Sequence, residues 1–381
     1  MQTLQVDPRQ VERPLPRAMV SRSRAAVAGA VAALLALAAG ELTAAVLGSD
    51  VSLVTAVGAS FIDRFAASLK DVAVALFGTN DKLALVVGIV VVSVVVGGAL
   101  GVLSRRWLPA APLGIAAAGV AGAWALATNP QGTTGSALAS GGVAIAAGVG
   151  AFAMLWTAAL GARAQAEPTD PPNTSTDLPR SNRRRFVLAA GGLVVVSGAS
   201  VLLARRVRSA DSVDRARRQT VLPRPGRSTR IPPGADVAAA GVTPFVTPNR
   251  DFYRIDTALI TPQVDARNWS LSIVGLVDRP FELSYDELLR MDSVETPVTL
   301  QCVSNEVGGD LIGNAIWQGV PLVALLDRAG VRVEASQVVG RSVDGFTAGF
   351  PLADARDGRT ALVAFAMNGE PLPAAHGYPA R

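Results

Sequence analysis

The chain has 381 residues, 50% of them hydrophobic and 17% charged, and its formal net charge is +5. A typical soluble domain is about 25% charged, and the deficit here falls between residues 25 and 204. The chain has one cysteine and one histidine, which excludes an intrachain disulfide and a zinc site of clustered Cys and His ligands. Nucleic acid is not an expected partner, because the sequence has no basic stripe interleaved with aromatic residues.

The N-terminal half predicts an all-α transmembrane bundle. A membrane-spanning helix needs roughly 20 mostly apolar residues, and five segments meet that requirement: 25–48, 83–103, 108–128, 136–161 and 186–204. The first segment contains Glu41. Two interpretations stay open for this carboxylate: a functional group inside the membrane, or a residue near the helix end that reaches water.

The distribution of arginine predicts how the bundle is oriented, because cytoplasmic loops carry an excess of Arg and Lys. Arginines are concentrated in the tail 1–24 and in the loops after the second and fourth spans, whereas the alternate loops are poorer. The tail is therefore predicted to be cytoplasmic. Five crossings of the cell membrane then place the C-terminal domain on the extracytoplasmic side, although Arg205, Arg206 and Arg208 argue locally against this.

Two features of the bundle leave its role open. Residues 183–186 (RRRF) precede the fifth span and resemble a twin-arginine export signal, or they are ordinary positive charge before a helix. No histidine lies before residue 376, so the helices lack the usual axial ligand of a b-type haem. We predict an anchor or a docking site for another membrane protein; a transporter is the weaker alternative because paired intramembrane charges are lacking.

Two stretches are predicted to be linkers. Residues 164–182 are polar and proline-rich, as is typical of a flexible cytoplasmic loop. Residues 205–243 are rich in Arg, Pro, Ser and Gly with little periodicity, which indicates a flexible tether. Membrane lipid is a predicted partner, because these arginines suit anionic headgroups.

Residues 244–381 predict an α+β domain, in which strands mix with short helices. Strands are expected at 269–275, 296–300, 337–339 and 360–366, with helices after Ser284 and Pro321. The strand at 296–300 runs into Cys302, which is followed by glycines that allow a ligand to approach the backbone closely. By itself, a lone cysteine is most often a small buried apolar residue. A thiolate is also a soft ligand for a transition metal, and an exported thiol needs shielding from oxidation.

Three motifs in the C-terminal part resemble the molybdopterin-binding domain of the sulfite oxidase family. The first is an opening segment at 247–254 (TPNRDFYR). The second surrounds the cysteine, at 302–305 (CVSN), 308–315 (GGDLIGNA) and 317–322 (WQGVPL). The third is 367–373 (MNGEPLP) followed by His376, Gly377, Tyr378, Pro379 and Arg381. The motifs occur in the family's order and cover roughly residues 245–381.

The resemblance implies a molybdenum–molybdopterin cofactor, with the metal bound by the thiolate of Cys302 and by the dithiolene sulfurs of the pterin. It places Asn249, Tyr253 and Arg254 along the pterin, and His376 and Arg381 where they hold the cofactor, with the guanidinium suited to its phosphate. It suggests that a loop with Arg341, Ser342 and Asp344 also lines the site. A solvated turn around Gly345 is the alternative for that loop, and a surface loop histidine is the alternative for His376.

The family's chemistry moves an oxygen atom and two electrons to or from a small substrate, with a separate electron-transfer partner. Sulfite oxidases carry arginines just after the cysteine motif, where this chain has Asn305, Glu306 and Val307. This departure favours a neutral sulfoxide-type substrate over anionic sulfite. The chain stops at Arg381 where family members continue, so we expect a C-terminally truncated, incomplete domain. The alternative function is a non-catalytic membrane protein whose outer domain binds a pterin or a partner.

Overall fold

The structure is a computed structural model that describes residues 20–64, 81–160, 178–207 and 211–381, except 238, 240 and 257. Most of the predicted cytoplasmic tail and of the predicted loop 164–182 lie outside the described residues. The chain divides into two compact units, a helical one that ends at Val207 and a C-terminal one that runs from Arg208 to Arg381 and also includes Asn129–Gln131.

The helical unit contains α1 (Arg22–Val46), α2 (residues 53–64), α3 (Asp81–Leu103), α4 (Ala110–Thr128), α5 (Thr134–Leu160) and α6 (Leu178–Val207). Among the described residues, all of these helices except α2 are long and apolar enough to cross a membrane. The predicted helical region with five candidate spans is therefore confirmed.

Glycines allow α1 and α3 to approach each other closely. A Cβ atom added to Gly29 would lie 2.0 Å from the carbonyl oxygen of Gly97, and one added to Gly101 would lie 2.1 Å from that of Ala25. Such short separations leave no room for a side chain, so the backbones of the two helices are in direct contact. Small residues are the usual means of packing helices that lack a hydrophobic driving force in lipid.

Glu41 on α1 has a polar partner inside the helical unit. The hydroxyl of Ser52, a residue with no exposed surface, donates a hydrogen bond to its carboxylate. Ser52 also precedes α2 and accepts a hydrogen bond from the backbone N–H of Thr55 at 3.3 Å, as an N-cap residue does. The carboxylate is half-buried and is thereby tied to the start of α2.

The C-terminal unit begins with two elements inside the predicted linker, the helix α7 (Asp211–Gln219) and the strand β1 (Arg227–Ser228). The order then continues with β2 (Ser270–Ile273), β3 (Phe281–Ser284), α8 (Tyr285–Arg290), β4 (Val294–Gln301), β5 (Ile312–Pro321), α9 (Leu322–Ala329), β6 (Gln337–Arg341), β7 (Thr347–Pro351), α10 (Leu352–Arg356), β8 (Leu362–Met367), β9 (Glu370–Pro371) and a 3₁₀ turn (Ala374–His376).

A mixed five-stranded sheet organises this unit, with the strand order β1-β4-β5-β8-β9. β1 runs parallel to β4, and the remaining neighbours are antiparallel. The pairing of β5 with β8 shifts at Gly319, whose added Cβ would lie 2.4 Å from the carbonyl oxygen of Val363. The helix α8 starts with the capping box formed by Ser284 and Glu287. The predicted α+β class is confirmed.

The core of the C-terminal unit lies against the centre of this sheet. Its fully buried members include Leu288, Leu325, Phe365, Met367 and Leu372. Fixed packing below the sheet makes the ends of β4, β5 and β8 a rigid platform for the loops that leave them. The strands β2–β3 and β6–β7 form separate two-stranded sheets.

Candidate active site

Cys302 lies where β4 ends, at the start of the loop that leads to β5. Its backbone N–H donates to the carbonyl oxygen of Leu311 at 2.9 Å, which closes the base of the loop. The side chain of Asn305 accepts from the N–H of Leu311 at 2.8 Å and so holds the loop together from inside. Cys302 is half-buried, and its Sγ lies 3.0 Å from the hydroxyl oxygen of Ser304. The thiol is therefore fixed by its backbone and still accessible from the rim of the sheet.

Tyr253 lies within electrostatic reach of both Cys302 and Arg381. Burial raises the pKa of the Tyr253 phenol, the charge on Cys302 raises it further, and the guanidinium of Arg381 lowers it. The guanidinium carbon of Arg381 lies 5.7 Å from the ring centroid of Trp317, a core residue of β5. Backbone hydrogen bonds of 2.8 Å in both directions pair Arg381 with Ala364 of β8. The sheet thus positions a cation close to Tyr253, whose phenol also interacts with Cys302.

His376 is buried beside these groups and is only 7% exposed. Burial lowers the pKa of its imidazole; the contact with the carbonyl of Asn249 raises it, and Arg381 and Arg254 lower it. The net pKa lies below the ordinary value, so the ring is neutral at neutral pH. Its Nε2 lies 3.3 Å from the carbonyl oxygen of Asn249. A neutral ring in this position donates from Nε2 and leaves Nδ1 as an acceptor.

Phe252 joins these residues into one cluster. Its ring stacks on Tyr253 at 5.4 Å and makes edge contacts with Trp317 at 5.9 Å and with His376 at 5.5 Å. The ring also fills the space over Gly313, where an added Cβ would lie 2.6 Å from Phe252 Cε2. A glycine at this position of β5 is therefore what admits the aromatic ring.

The remaining predicted residues fall into two groups. Asn249 is half-buried and donates from Nδ2 to the carbonyl oxygen of Met367 at 3.2 Å, and Arg254 is paired with Asp256. The carbonyl of Asn249 contacts His376, and the charge of Arg254 acts on the same imidazole, so both residues belong to the cluster of His376 and Phe252.

The second group, Arg341, Ser342 and Asp344, lies in the β6–β7 hairpin. The N–H of Ser342 donates to the carbonyl oxygen of Phe346 at 2.8 Å, and the carboxylate of Asp344 accepts from the N–H of Phe346 at 3.1 Å. In the described part of the chain, these hydrogen bonds stay within the hairpin. The structure thus does not bring this group to Cys302 by a described contact.

Asn368 also connects the cluster, although the motif at 367–373 that contains it assigned no role to its side chain. The sequence Asn-Gly indicates only a turn, and the structure confirms a left-handed backbone there with φ of 53°. The side chain, however, is hydrogen-bonded to three separate backbone or side-chain groups. A turn asparagine whose amide is used in this way has no distinguishing sequence signal.

The donor set fits a molybdenum–molybdopterin cofactor. Within the described residues there is no group of three or more His, Cys, Asp or Glu side chains that would hold a metal ion. A metal held here would therefore rely on a single soft donor, Cys302, together with ligands that the protein does not supply. The cluster that includes Tyr253, the neighbour of that thiol, also holds a neutral imidazole and two guanidinium groups, which suit a polar and anionic organic molecule.

Comparisons with known proteins identify the family of the C-terminal domain. The family described as "Oxidoreductase molybdopterin binding domain" matches residues 258–381. An uncharacterized oxidoreductase of Bacillus subtilis, YuiH, is 32% identical over 155 residues, which cover 41% of this chain and 70% of that protein. The mitochondrial sulfite oxidase of Rattus norvegicus is 33% identical over 161 residues, or 36% of this chain and 29% of that protein.

Two further matches are more partial. A nitrate reductase of Solanum lycopersicum is 31% identical over 147 residues, which cover 16% of that protein. The crystal structure of the sulfane dehydrogenase SoxCD from Paracoccus pantotrophus is 29% identical and covers 37% of this chain and 39% of that chain, with a TM-score of 0.34 that is too low to compare folds. The chain thus spans less than a third of the sulfite oxidase and nitrate reductase sequences, but more than two thirds of the Bacillus relative. On the strength of that last match and of the domain match around Cys302, the chain belongs to the sulfite oxidase family of molybdopterin oxidoreductases.

Proposed function

We propose that this protein is a membrane-anchored, molybdenum-dependent oxidoreductase that transfers an oxygen atom and two electrons to or from a small substrate. The observation that carries the proposal is the position of Cys302. Its half-buried thiol lies at the rim of the sheet and interacts with Tyr253, which is connected to Arg381 by charge and to His376 through the ring of Phe252. This arrangement suits a cofactor that brings its own chemistry and needs from the protein a ligand, a pocket and a fixed orientation.

In this proposal the cofactor supplies the exchange of oxygen and electrons, and the protein residues hold it. The thiolate of Cys302 binds the metal. The guanidinium of Arg381 is suited to the pterin phosphate by its forked donors, and neutral His376 offers a hydrogen bond without adding charge. Asn249, Tyr253 and Arg254 lie along the pterin. A contribution from Arg341, Ser342 and Asp344 stays a prediction, supported by the family resemblance and not by their hydrogen bonds.

The loop after Cys302 favours a neutral sulfoxide-type substrate over sulfite. Glu306 and Asp310 are both exposed there, and the side chains of Val303 and Val307 are fully exposed. Two carboxylates repel an approaching anion, and exposed valines suit an uncharged organic group. Sulfite, nitrate and sulfane appear in the names of the relatives and describe the activities of those proteins.

The five apolar helices support the proposal of a membrane anchor. We propose that the tail is cytoplasmic and the oxidoreductase domain extracytoplasmic, as the arginine distribution predicts. In this arrangement a separate electron carrier reaches the domain on the extracytoplasmic side of the membrane. The arginines between residues 215 and 230 contact anionic lipid headgroups.

Metal analysis of the purified full-length protein tests the proposal. We expect molybdenum in the unaltered protein and a lower molybdenum content in Cys302→Ser, because the substitution removes the soft donor with little change in volume. Val333→Ala is the matched control, because this side chain is 94% exposed and lies outside the site. Equal molybdenum in Cys302→Ser and in the control would contradict the proposal and favour a non-catalytic binding domain.

A further inference from the structure

Asn368 lies in the tight turn between β8 and β9. Among the described residues it is the only non-glycine residue with a left-handed backbone, and Gly369 follows it with φ of 77°. Asparagine tolerates this conformation better than most residues, and glycine tolerates it without strain. The turn by itself would therefore be served equally well by two glycines, and it does not explain an amide side chain at this position.

The amide of Asn368 uses both of its ends. Its Oδ1 accepts a hydrogen bond from the N–H of Ile316 at 2.8 Å. Its Nδ2 donates to the carbonyl oxygen of Thr247 at 3.0 Å and to Oδ1 of Asn249 at 2.8 Å. The backbone N–H of Asn368 donates to the carbonyl oxygen of Ile316 at 2.7 Å. One side chain thus joins β5, the turn and the segment 247–249.

This junction lies where the sheet changes partners. β8 pairs with β5 only from Trp317 onwards, and the described pairing ends there. Beyond that point the segment 247–249 takes over, with the N–H of Thr247 donating to the carbonyl oxygen of Asn314 at 2.7 Å. Asn368 spans the gap between the two, and it therefore sets the position of the segment that leads into Phe252 and Tyr253.

We propose that Asn368 is a positioning residue that acts through Asn249 on His376. The backbone carbonyl of Asn249 is the partner of the imidazole Nε2. The side chain of Asn249 accepts a hydrogen bond from Asn368 and donates one to the carbonyl oxygen of Met367. The amide of Asn368 thereby selects the His376 tautomer with hydrogen on Nε2 and leaves Nδ1 as an acceptor towards the cofactor. Its relevance to catalysis rests on the proposed function.

The single histidine of the chain makes this testable without an assay of activity. In full-length protein labelled with ¹⁵N-histidine, every imidazole signal comes from His376. Asn368→Gly removes the amide and keeps a residue that accepts the left-handed turn. Asn368→Asp keeps the acceptor for Ile316 and loses both donors. Asn268→Gly, at an exposed asparagine of the same unit, is the matched control.

We expect the Nε2-protonated tautomer to dominate in the unaltered protein and in Asn268→Gly. In Asn368→Gly and in Asn368→Asp the two nitrogen shifts should move towards the average of both tautomers. The groups that face the ring, Arg254 and Arg381, are unchanged in both variants, and Asn368→Gly adds no charge, so a shift in that variant reports the tautomer. Asn368→Asp adds a carboxylate, so its spectrum is recorded well above pH 7, where the ring is neutral. Unchanged imidazole shifts in either variant would overturn the proposal, as would an equal change in the control.

A failure of the proposed function gives a different result. Absence of molybdenum from the unaltered protein would contradict the role of Cys302, while the tautomer of His376 would still report on Asn368. If molybdenum is bound, we expect both Asn368 variants to retain less of it than Asn268→Gly, since the pterin loses an ordered acceptor. Full retention of molybdenum in variants with a mixed tautomer would show that the tautomer of His376 does not affect cofactor binding.

Discussion

The close fit between Gly313 and Phe252 predicts that a single methyl group on β5 disturbs the whole cluster. In Gly313→Ala the new Cβ would lie 2.6 Å from Phe252 Cε2, whereas ordinary contacts begin at 3.4 Å. The ring must therefore retreat by 3.4 − 2.6, which is 0.8 Å. Phe252 is 6% exposed and packed between Trp317 and His376, so it has no free direction in which to move.

Overpacking of this kind typically costs about 1–3 kcal/mol of stability. We expect Gly313→Ala to lower the free energy of unfolding of the C-terminal unit by that amount, measured by denaturant titration of full-length protein in detergent. We also expect a lower molybdenum content, because Tyr253 and His376 both contact the displaced ring. Gly340→Ala on β6 is the matched control, since its added Cβ would lie 3.8 Å from the nearest atom.

A second substitution shows whether the clash is the cause. Phe252→Leu removes the ring that Gly313→Ala would meet. The double variant should therefore be more stable than the sum of the two single effects predicts, with a coupling of roughly 0.5–3 kcal/mol, the range for residues in contact. Strictly additive effects, or a Gly313→Ala protein as stable as Gly340→Ala, would refute the argument from packing.

Three other perturbations have defined outcomes. Gly101→Ala should destabilise the helical unit in detergent, because its Cβ would lie 2.1 Å from a backbone oxygen, although alanine favours helices over glycine by about 1 kcal/mol. The control Gly88→Ala meets open space and should not destabilise the unit. Equal thermal stabilities of the two variants would contradict the packing of α1 on α3. Folding lowers the pKa of His376, so its contribution to the free energy of unfolding is complete above about pH 6.5 and is lost as the pH falls below that value. Denaturant titrations of His376→Gln should therefore show a smaller loss of stability at acidic pH. The same dependence of stability on pH in both proteins would contradict the buried, neutral state of His376. Glu306→Arg should raise the ratio of kcat/KM for sulfite to kcat/KM for a neutral sulfoxide about tenfold, because a change of roughly 1.4 kcal/mol in the charge interaction corresponds to a factor of ten. Glu334→Arg, which lies outside the loop, should leave this ratio unchanged.

The sequence was most informative where a feature depends on neighbouring residues. Five long apolar stretches define five helices by composition alone, and Ser284 followed by Glu287 defines the start of α8. The position of Cys302 after β4 follows from a strand pattern that ends in a polar, glycine-containing loop. These features need no knowledge of the remainder of the fold.

Other features depend on pairings between distant residues and had no local signal. The linker prediction did not include α7, because only Val213 and Ala216 among its nine residues are apolar. It did not include β1 either, because the two residues of this strand are defined only by their parallel pairing with β4. The hydrogen bonds of Asn368 with Thr247 and Asn249 link positions 121 and 119 residues apart. Only the folded sheet brings these groups together.

The central claim is that the thiolate of Cys302 is a ligand of molybdenum. X-ray absorption at the molybdenum edge of the full-length protein, compared with Cys302→Ser, measures this directly. We expect one fewer sulfur ligand per atom of molybdenum that the variant retains, with the two pterin sulfurs unchanged. The same number of sulfur ligands in both proteins would contradict it.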